Sequence, residues 1–339
     1  MNHIISHKST LIEALRALND LSGDVMTLFV VDENRTMVGT LTDGDVRRAL
    51  LSGLSLQSEV SDAMHRNFRY LTTVSSPMDV RMARRSGISL LPILDEDRKI
   101  LDILDLSRQT TRLPIRAVLM AGGRGERLRP LTDSVPKPLL PLGGATVIDR
   151  NVEALQRCGV GEIYVTIRYL AEQLEAHFEG SEVKCVRENM PLGTIGSLSL
   201  IPQGELTGVT LVMNSDLFTN IDFEEFYVQH IEQGNDISIA TVSHTVSIPF
   251  AVLATEGLRV TDIEEKPTYT HYANAGIYLI SNRLLLGLKS EHIDAPDFIA
   301  EHIQRGAKVG HFPISGTWLD IGTPADYQQA QELLGLLPY

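Results

Sequence analysis

Residues 115–144 read IRAVLMAGGRGERLRPLTDSVPKPLLPLGG, and this stretch decides the fold of the larger part of the chain. An apolar run from Ile115 to Ala121 predicts a strand buried on both faces, as in parallel sheets. It runs straight into Gly122, Gly123 and Gly125. Glycines remove side chains and permit positive φ, so successive N–H groups can wrap a phosphate. Arg124 and Arg127 add charge and paired donors, and Pro130, Pro136, Pro138 and Pro141 stiffen the segment that carries Lys137. A Walker loop needs Gly-x4-Gly-Lys-Ser/Thr, which is absent. A dinucleotide fingerprint would begin Gly123-x-Gly125, but Leu128 stands where its third glycine belongs. Residues 116–137 hold five basic and two acidic residues, a basic island that suits a small polyanion.

The surroundings of that island are acidic. The 339-residue chain has 30 Lys and Arg against 43 Asp and Glu, a formal charge of −13. Residues 1–112 contribute −1 and residues 113–339 contribute −12. Nucleic acid is therefore excluded as a partner, since its binding needs extended basic surface. Hydrophobic residues at 43% and charged residues at 22% are ordinary for a globular protein with an ample core. The two cysteines, Cys158 and Cys185, form no disulfide framework or metal-ligand spacing and read as reduced thiols. No apolar run is long enough to span a bilayer, and the start lacks a signal-peptide pattern, so a cytoplasmic protein is expected.

A polar stretch at 107–114, SRQTTRLP, marks the expected boundary between a module at 1–112 and a domain at 113–339. The module carries an internal repeat. Thr10-x-x-Glu13 is a capping box, followed by Leu11, Leu15 and Leu18 at helical spacing. Strands at 27–31 and 37–41 flank a turn, and Asp43 is expected to start a short helix. A shift of 63 residues recovers the pattern, with Asp32 falling on Asp95 and Leu41 on Leu104. The α+β repeat, with GTLTDGD in its first copy, resembles the paired CBS regulatory module over about residues 3–110. That resemblance implies that Thr42 and Asp45 grip the ribose and phosphate of an adenine nucleotide. The second copy departs from it, with Asp105 and Arg108 at the matching positions, so at most one such site is expected. A helix cap at Asp43 with Asp45 as a first-turn acid, the module serving dimerisation alone, is the competing reading.

The second part alternates strands (115–120, 162–167, 183–187, 209–214) with helices (145–158, 170–178, 194–200, 222–233), which argues for a mainly parallel α/β sheet. Strands at 237–243, 250–254, 259–264 and 274–280 suggest antiparallel additions, making the sheet mixed. AGGRGERLRPLTDSVPKPLLPL resembles the signature of the sugar-1-phosphate nucleotidyltransferases. ENMPLGTIGSL (188–198), NSDLF (214–218), EEKP (264–267), NAGIY (274–278) and WLDIGTPADY (318–327) follow in that family's order. The resemblance implies a Rossmann-like, GT-A-like fold and attack of a sugar-1-phosphate oxygen on the α-phosphorus of a nucleoside triphosphate. It implies further that Arg127 holds the triphosphate, that Lys137 contacts the α-phosphate and the sugar phosphate, and that Asp216 and Asp320 hold Mg²⁺. Ala121, Gly122 and Gly193 would wall the nucleobase, with Gly123, Arg124 and Gly125 along the nucleotide. Glu265, Lys266, Asn274 and Gly276 would line the sugar. The family usually has Gly-Asp where this chain has Ser215-Asp216, so less room is expected there for backbone approach.

PLGTIGSL is most similar to the mannose-1-phosphate guanylyltransferase branch, which implies GTP. A CBS pair ahead of this domain resembles the glucosamine-1-phosphate guanylyltransferases of legionaminic acid synthesis. Glucosamine-1-phosphate or mannose-1-phosphate is thus the expected acceptor, with uridylyl or thymidylyl transfer as the alternative chemistry. No hexapeptide repeats occur, so no acetyltransferase domain is expected. A homodimer or higher oligomer is expected from the CBS resemblance. A catalytically silent sugar-nucleotide sensor would lose Arg127, Lys137, Asp216 or Asp320, and all four are present.

Overall fold

The computed structural model describes residues 3–21, 25–73, 75–202 and 208–334. The chain divides into two compact units, Met1–Arg112 and Leu113–Tyr339.

The first unit contains two three-stranded sheets of the same design. In one, Ile4–Ser6 lies parallel to Thr27–Val31, which pairs antiparallel with Met37–Thr42. In the other, Leu71–Thr72 lies parallel to Leu90–Leu94, which pairs antiparallel with Ile100–Asp105. The 63-residue repeat extends to its irregularities. A bulge at Val30/Val31 recurs at Ile93/Leu94, and the left-handed turn residue Arg35 recurs as Arg98. Positive φ is uncommon outside glycine, so its recurrence at both arginines marks one turn geometry used twice. Phe29, Met37, Leu90 and Leu94 bury one cluster between the two sheets. The helix Asp43–Leu51 is capped by Thr42, one residue before the expected Asp43. A threonine hydroxyl can take the free N–H of the third helical residue, and Asp45 returns the bond to the Thr42 amide.

In the second unit seven strands form one mixed sheet. Its order is Lys184–Arg187, Glu162–Ile167, Ile115–Ala121, Val209–Asn214, Thr268–Ser281, Ile237–Ser247 and Val309–Pro313. The first four are parallel, so their carboxyl ends share one edge. Side chains alternate across the sheet. Ala117, Leu119 and Ala121 pack on one face with Ile148, Leu155 and Val165, while Val118 packs on the other with Tyr164, Val212 and Phe298. Burial on both faces explains why the strand reads as an unbroken apolar run. Thr268–Ser281 and Ile237–Ser247 are the antiparallel additions, and Val252–Glu256 with Arg259–Glu264 forms a separate exposed hairpin. Neither Cys158 nor Cys185 is in a disulfide.

The imidazole of His230, 1% exposed, lies with Nδ1 2.9 Å from Ser238 Oγ, and burial pushes its pKa down to about 4. The unfolded chain therefore binds a proton that the folded chain refuses between pH ~6.5 and ~4. This contribution is complete above pH ~6.5 and disappears as the pH falls through that window, on the order of 3 kcal/mol in all. His230→Gln is expected to flatten the fall in melting temperature between pH 7 and 4. Parallel pH–melting curves for variant and wild type would count against it.

Candidate active site

Four parallel strand ends meet the glycine bend, and the two aspartates of the sequence come together beside it. Asp216 follows the strand Val209–Asn214. The next strand, Leu217–Thr219, pairs antiparallel with Trp318–Asp320, with Leu217 opposite Asp320. The Ile321 amide also donates to the Asp216 carbonyl at 3.1 Å. Residues about one hundred apart in sequence are thereby locked side by side. Lys137 Nζ is ion-paired with Asp216 Oδ2 and lies 3.6 Å from Asp320 Oδ1. Oδ1 of each aspartate is buried without a hydrogen-bond partner.

The loops that present these groups are held from behind. Ser215 is buried, and its hydroxyl donates to the Met120 carbonyl at 2.6 Å. Asn151 Nδ2 donates to the Ser215 and Leu217 carbonyls at 3.2 and 3.0 Å. Serine at this position thus ties the end of the Asp216 strand to the end of the Ile115–Ala121 strand. Gly125 has φ +62° and lies against Thr132 and the Lys137 stem; an added Cβ would sit 3.2 Å from Lys137 Cβ. Thr132 Oγ1 donates to the Gly125 carbonyl at 2.8 Å. Tyr169 Oη donates to the Thr132 carbonyl at 3.0 Å, and Gln173 Nε2 to that of Ser134 at 2.9 Å. The glycine bend and the proline-rich return therefore form one fastened unit with Lys137 projecting from it.

Arg127 joins the cluster through Gly322. Its guanidinium fills the space where a side chain at 322 would lie, 3.0 Å from that Cβ position to the nearest nitrogen. Alanine there would displace only the far end of a flexible arginine. Gly322→Ala is accordingly expected to keep its melting temperature and lose about tenfold in catalytic efficiency through misplaced charged hydrogen bonds. Undiminished efficiency would remove Arg127 from the site. Gly123 faces open space, and Arg124 is exposed.

Gly193, with φ +72°, lies against Ile293 and Asp294, so its lack of a side chain is already required by packing. Gly276, with φ +71°, lies against Asn214, and its amide donates to Asn274 Oδ1 at 2.9 Å. Asn274 Nδ2 donates to Tyr278 Oη at 2.7 Å. Glu265 and Lys266 are exposed beyond the Arg259–Glu264 strand and make no ion pair or hydrogen bond with the cluster among the described residues. In the first unit, Asp45 Oδ2 accepts from the Thr42 amide and hydroxyl at 2.8 and 2.6 Å, while Oδ1 meets Arg48 at 2.5 Å.

The sequence reading missed four residues that the fold places here: Asn151, Gly322, Arg168 and Glu188. Glu188 is 7% exposed and stands beside Gly122 together with Arg168. ENMPLGTIGSL carried Glu188 in plain sight, but nothing in its spacing distinguishes a buried carboxylate from a surface one.

Burial raises the pKa of the Asp320 carboxyl, as does the Asp216 charge, against the opposing pull of Lys137 and Arg127. Two carboxylates that share one ammonium, each with a buried oxygen lacking a hydrogen-bond partner, form a cation-seeking pair. Among the described residues no group of three or more His, Cys, Asp or Glu side chains could hold a metal alone. That donor set fits an ion that takes one or two carboxylates and completes its shell with phosphate oxygens and waters, as Mg²⁺ does. Asp216 and Asp320 would hold it.

A glycine bend, flanking cations and paired carboxylates thus meet at the carboxyl edge of the parallel strands, where open α/β sheets bind their ligands. Residues 116–335 match the nucleotidyl transferase family, and the chain belongs to that family. Residues 3–52 match the CBS domain. Mannose-1-phosphate guanylyltransferase 1 of Arabidopsis thaliana is 32% identical, over 63% of this chain and 63% of its own. The mannose-1-phosphate guanylyltransferase catalytic subunit beta of Xenopus tropicalis is 30% identical, over 63% and 62%. The chain thus spans somewhat under two thirds of the length of these relatives. The fold is also that of HddC from Yersinia pseudotuberculosis, with TM-score 0.50 and 24% identity over 66% of this chain and all of that one. No helix among the described residues is long and apolar enough to cross a membrane.

Proposed function

We propose that this protein transfers a nucleoside monophosphate from a nucleoside triphosphate to a sugar-1-phosphate. An oxygen of the sugar phosphate attacks the α-phosphorus, the bond to the β-phosphoryl oxygen breaks, and pyrophosphate leaves. The observation that carries this reading is Lys137 set between Asp216 and Asp320, whose Oδ1 atoms are buried without hydrogen-bond partners. Two polyanions must approach each other, so charge neutralisation and in-line alignment are the catalytic tasks. Lys137 offers its ammonium where the attacking and attacked phosphates meet. Arg127 offers paired donors to the departing pyrophosphate. Mg²⁺ bound by the aspartates would supply charge neutralisation between the α-phosphate and the leaving group.

GTP is the nucleotide favoured by the guanylyltransferase names of the relatives. Mannose-1-phosphate or glucosamine-1-phosphate is the acceptor class, with Asn274, Gly276, Glu265 and Lys266 toward the sugar. Ala121, Gly122 and Gly193 would wall the base, and Gly123, Arg124 and Gly125 the phosphates. Pyrophosphate release across a matrix of NTPs and sugar-1-phosphates tests the reading. Guanosine triphosphate with a glucosamine or mannose 1-phosphate is expected to lead, and silence across the matrix would defeat the reading.

The CBS unit would bind an adenine nucleotide through Thr42 and Asp45, in a cytoplasmic homo-oligomer. AMP is expected to raise the melting temperature of wild type and not of Thr42→Val. An equal rise in both would remove Thr42 from the site, and no rise in wild type would leave the module to assembly alone.

A further inference from the structure

The hairpin of Val252–Glu256 and Arg259–Glu264 stands clear of the sheet that the rest of the unit is built on. Residues 253–266 are exposed without exception, and side chains alternate along strands, so neither face of the hairpin is covered. Leu253 lies opposite Ile263, and these two with Phe250, Leu258 and Val260 are each at least 50% exposed. No other stretch of this length among the described residues gathers as many exposed large apolar side chains. A two-stranded hairpin is marginal in water and needs a third strand or a packed face. Each strand here pairs only with the other, which leaves two open edges. Open edges are ordinarily guarded by lysine or proline. Val252–Glu256 has neither, whereas Arg259 and Asp262 charge the other strand. We propose that this hairpin is an interface between two copies of the chain, with Val252–Glu256 pairing antiparallel with the same strand of a second copy.

Symmetry, charge and area favour a second copy over another partner. Identical strands brought together across a twofold axis perpendicular to them run antiparallel, so one edge serves both copies. The product is a four-stranded sheet in which each hairpin gains the neighbour it lacks. The chain carries a formal charge of −13, so two copies repel unless they meet where neither is charged. Residues 237–255 contain no Asp, Glu, Lys or Arg, and from 243 onward all but Ile248 and Val252 are exposed. A basic partner would be drawn to the acidic surface instead. Five exposed side chains at on the order of 120 Å² each, with the strand backbone between them, approach the ~800 Å² that one partner brings to a standard interface. The contact lies within the second unit and does not depend on nucleotidyl transfer.

Sedimentation of the full chain at micromolar concentration tests this, with amide hydrogen exchange on the same preparation. Wild type is expected to contain two copies, or four where the first unit also associates. Leu253→Lys and Ile263→Lys should each halve that mass, because each sets a charge on the seam. Amides of Val252–Glu256 should be protected in wild type and exchange at least ~10-fold faster in both variants. Circular dichroism establishes that the variants fold, and Ile263→Lys decides the matter if Leu253→Lys does not fold. A wild type of one copy, or folded variants that keep the wild-type mass, would overturn the proposal. Protection of the same amides in a chain of one-copy mass would overturn it as well, by assigning the cover to another part of the same chain.

Discussion

Asparagine in place of Asp216 is expected to lower kcat about a thousandfold, the scale of losing one preorganised electrostatic group. The substitution keeps the volume of the side chain and an oxygen for Lys137, but removes the charge. It also relieves Asp320 of a neighbouring negative charge that, with burial, raises its pKa. Folding should therefore survive, with a melting temperature at or above wild type in EDTA. Pyrophosphate release and melting curves on the same preparation check the two halves of this expectation. Near-normal turnover would remove Asp216 from the chemistry, and simultaneous loss of fold would make it a structural residue.

Lys137→Ala should show the opposite relation between activity and stability. Its ammonium sits between two carboxylates whose Oδ1 atoms have no other hydrogen-bond partner. Alanine leaves like charges facing each other, which is unfavourable at short range. The variant is expected to melt lower than wild type in EDTA and to recover most of the difference when Mg²⁺ is added. Wild type, with the ammonium already in place, should respond less to the ion. Turnover should still fall by about 10²–10³-fold, because Mg²⁺ cannot replace a donor directed at the reacting phosphates. A melting temperature indifferent to Mg²⁺ in the variant would contradict the shared-cation account.

The sequence disclosed much of this arrangement because the strong signals are local. An apolar run ending in glycines announces both a buried parallel strand and the bend after it. The 63-residue repeat was legible from two alternating strand pairs, and it extends to the left-handed Arg35 and Arg98. The coming together of Asp216 and Asp320 was implied by the family resemblance and by no local pattern. Leu217–Thr219 and Trp318–Asp320 are three residues each, too short for any periodicity to emerge. Their pairing is nonlocal, so only the folded sheet brings the two carboxylates onto one lysine. Arg168 and Glu188 stayed hidden for a different reason. Charged residues just past a strand read as solvated, and their burial follows from a glycine two strands away from Glu188 that makes room for its carboxylate. Ser215 shows how a departure from a family pattern can acquire a role, since its hydroxyl fastens the Asp216 turn to Met120.

The proposed chemistry depends on Asp216 and Asp320 sharing one divalent cation beside Lys137 when nucleotide is present. Its most direct test is a crystal grown with Mn²⁺ in place of Mg²⁺ and a non-hydrolysable triphosphate, read by anomalous scattering. One peak is expected within ~2.5 Å of an oxygen of both aspartates and of a phosphate oxygen. A peak bound only by phosphates, or one touching a single aspartate while Lys137 still occupies the other, would contradict it.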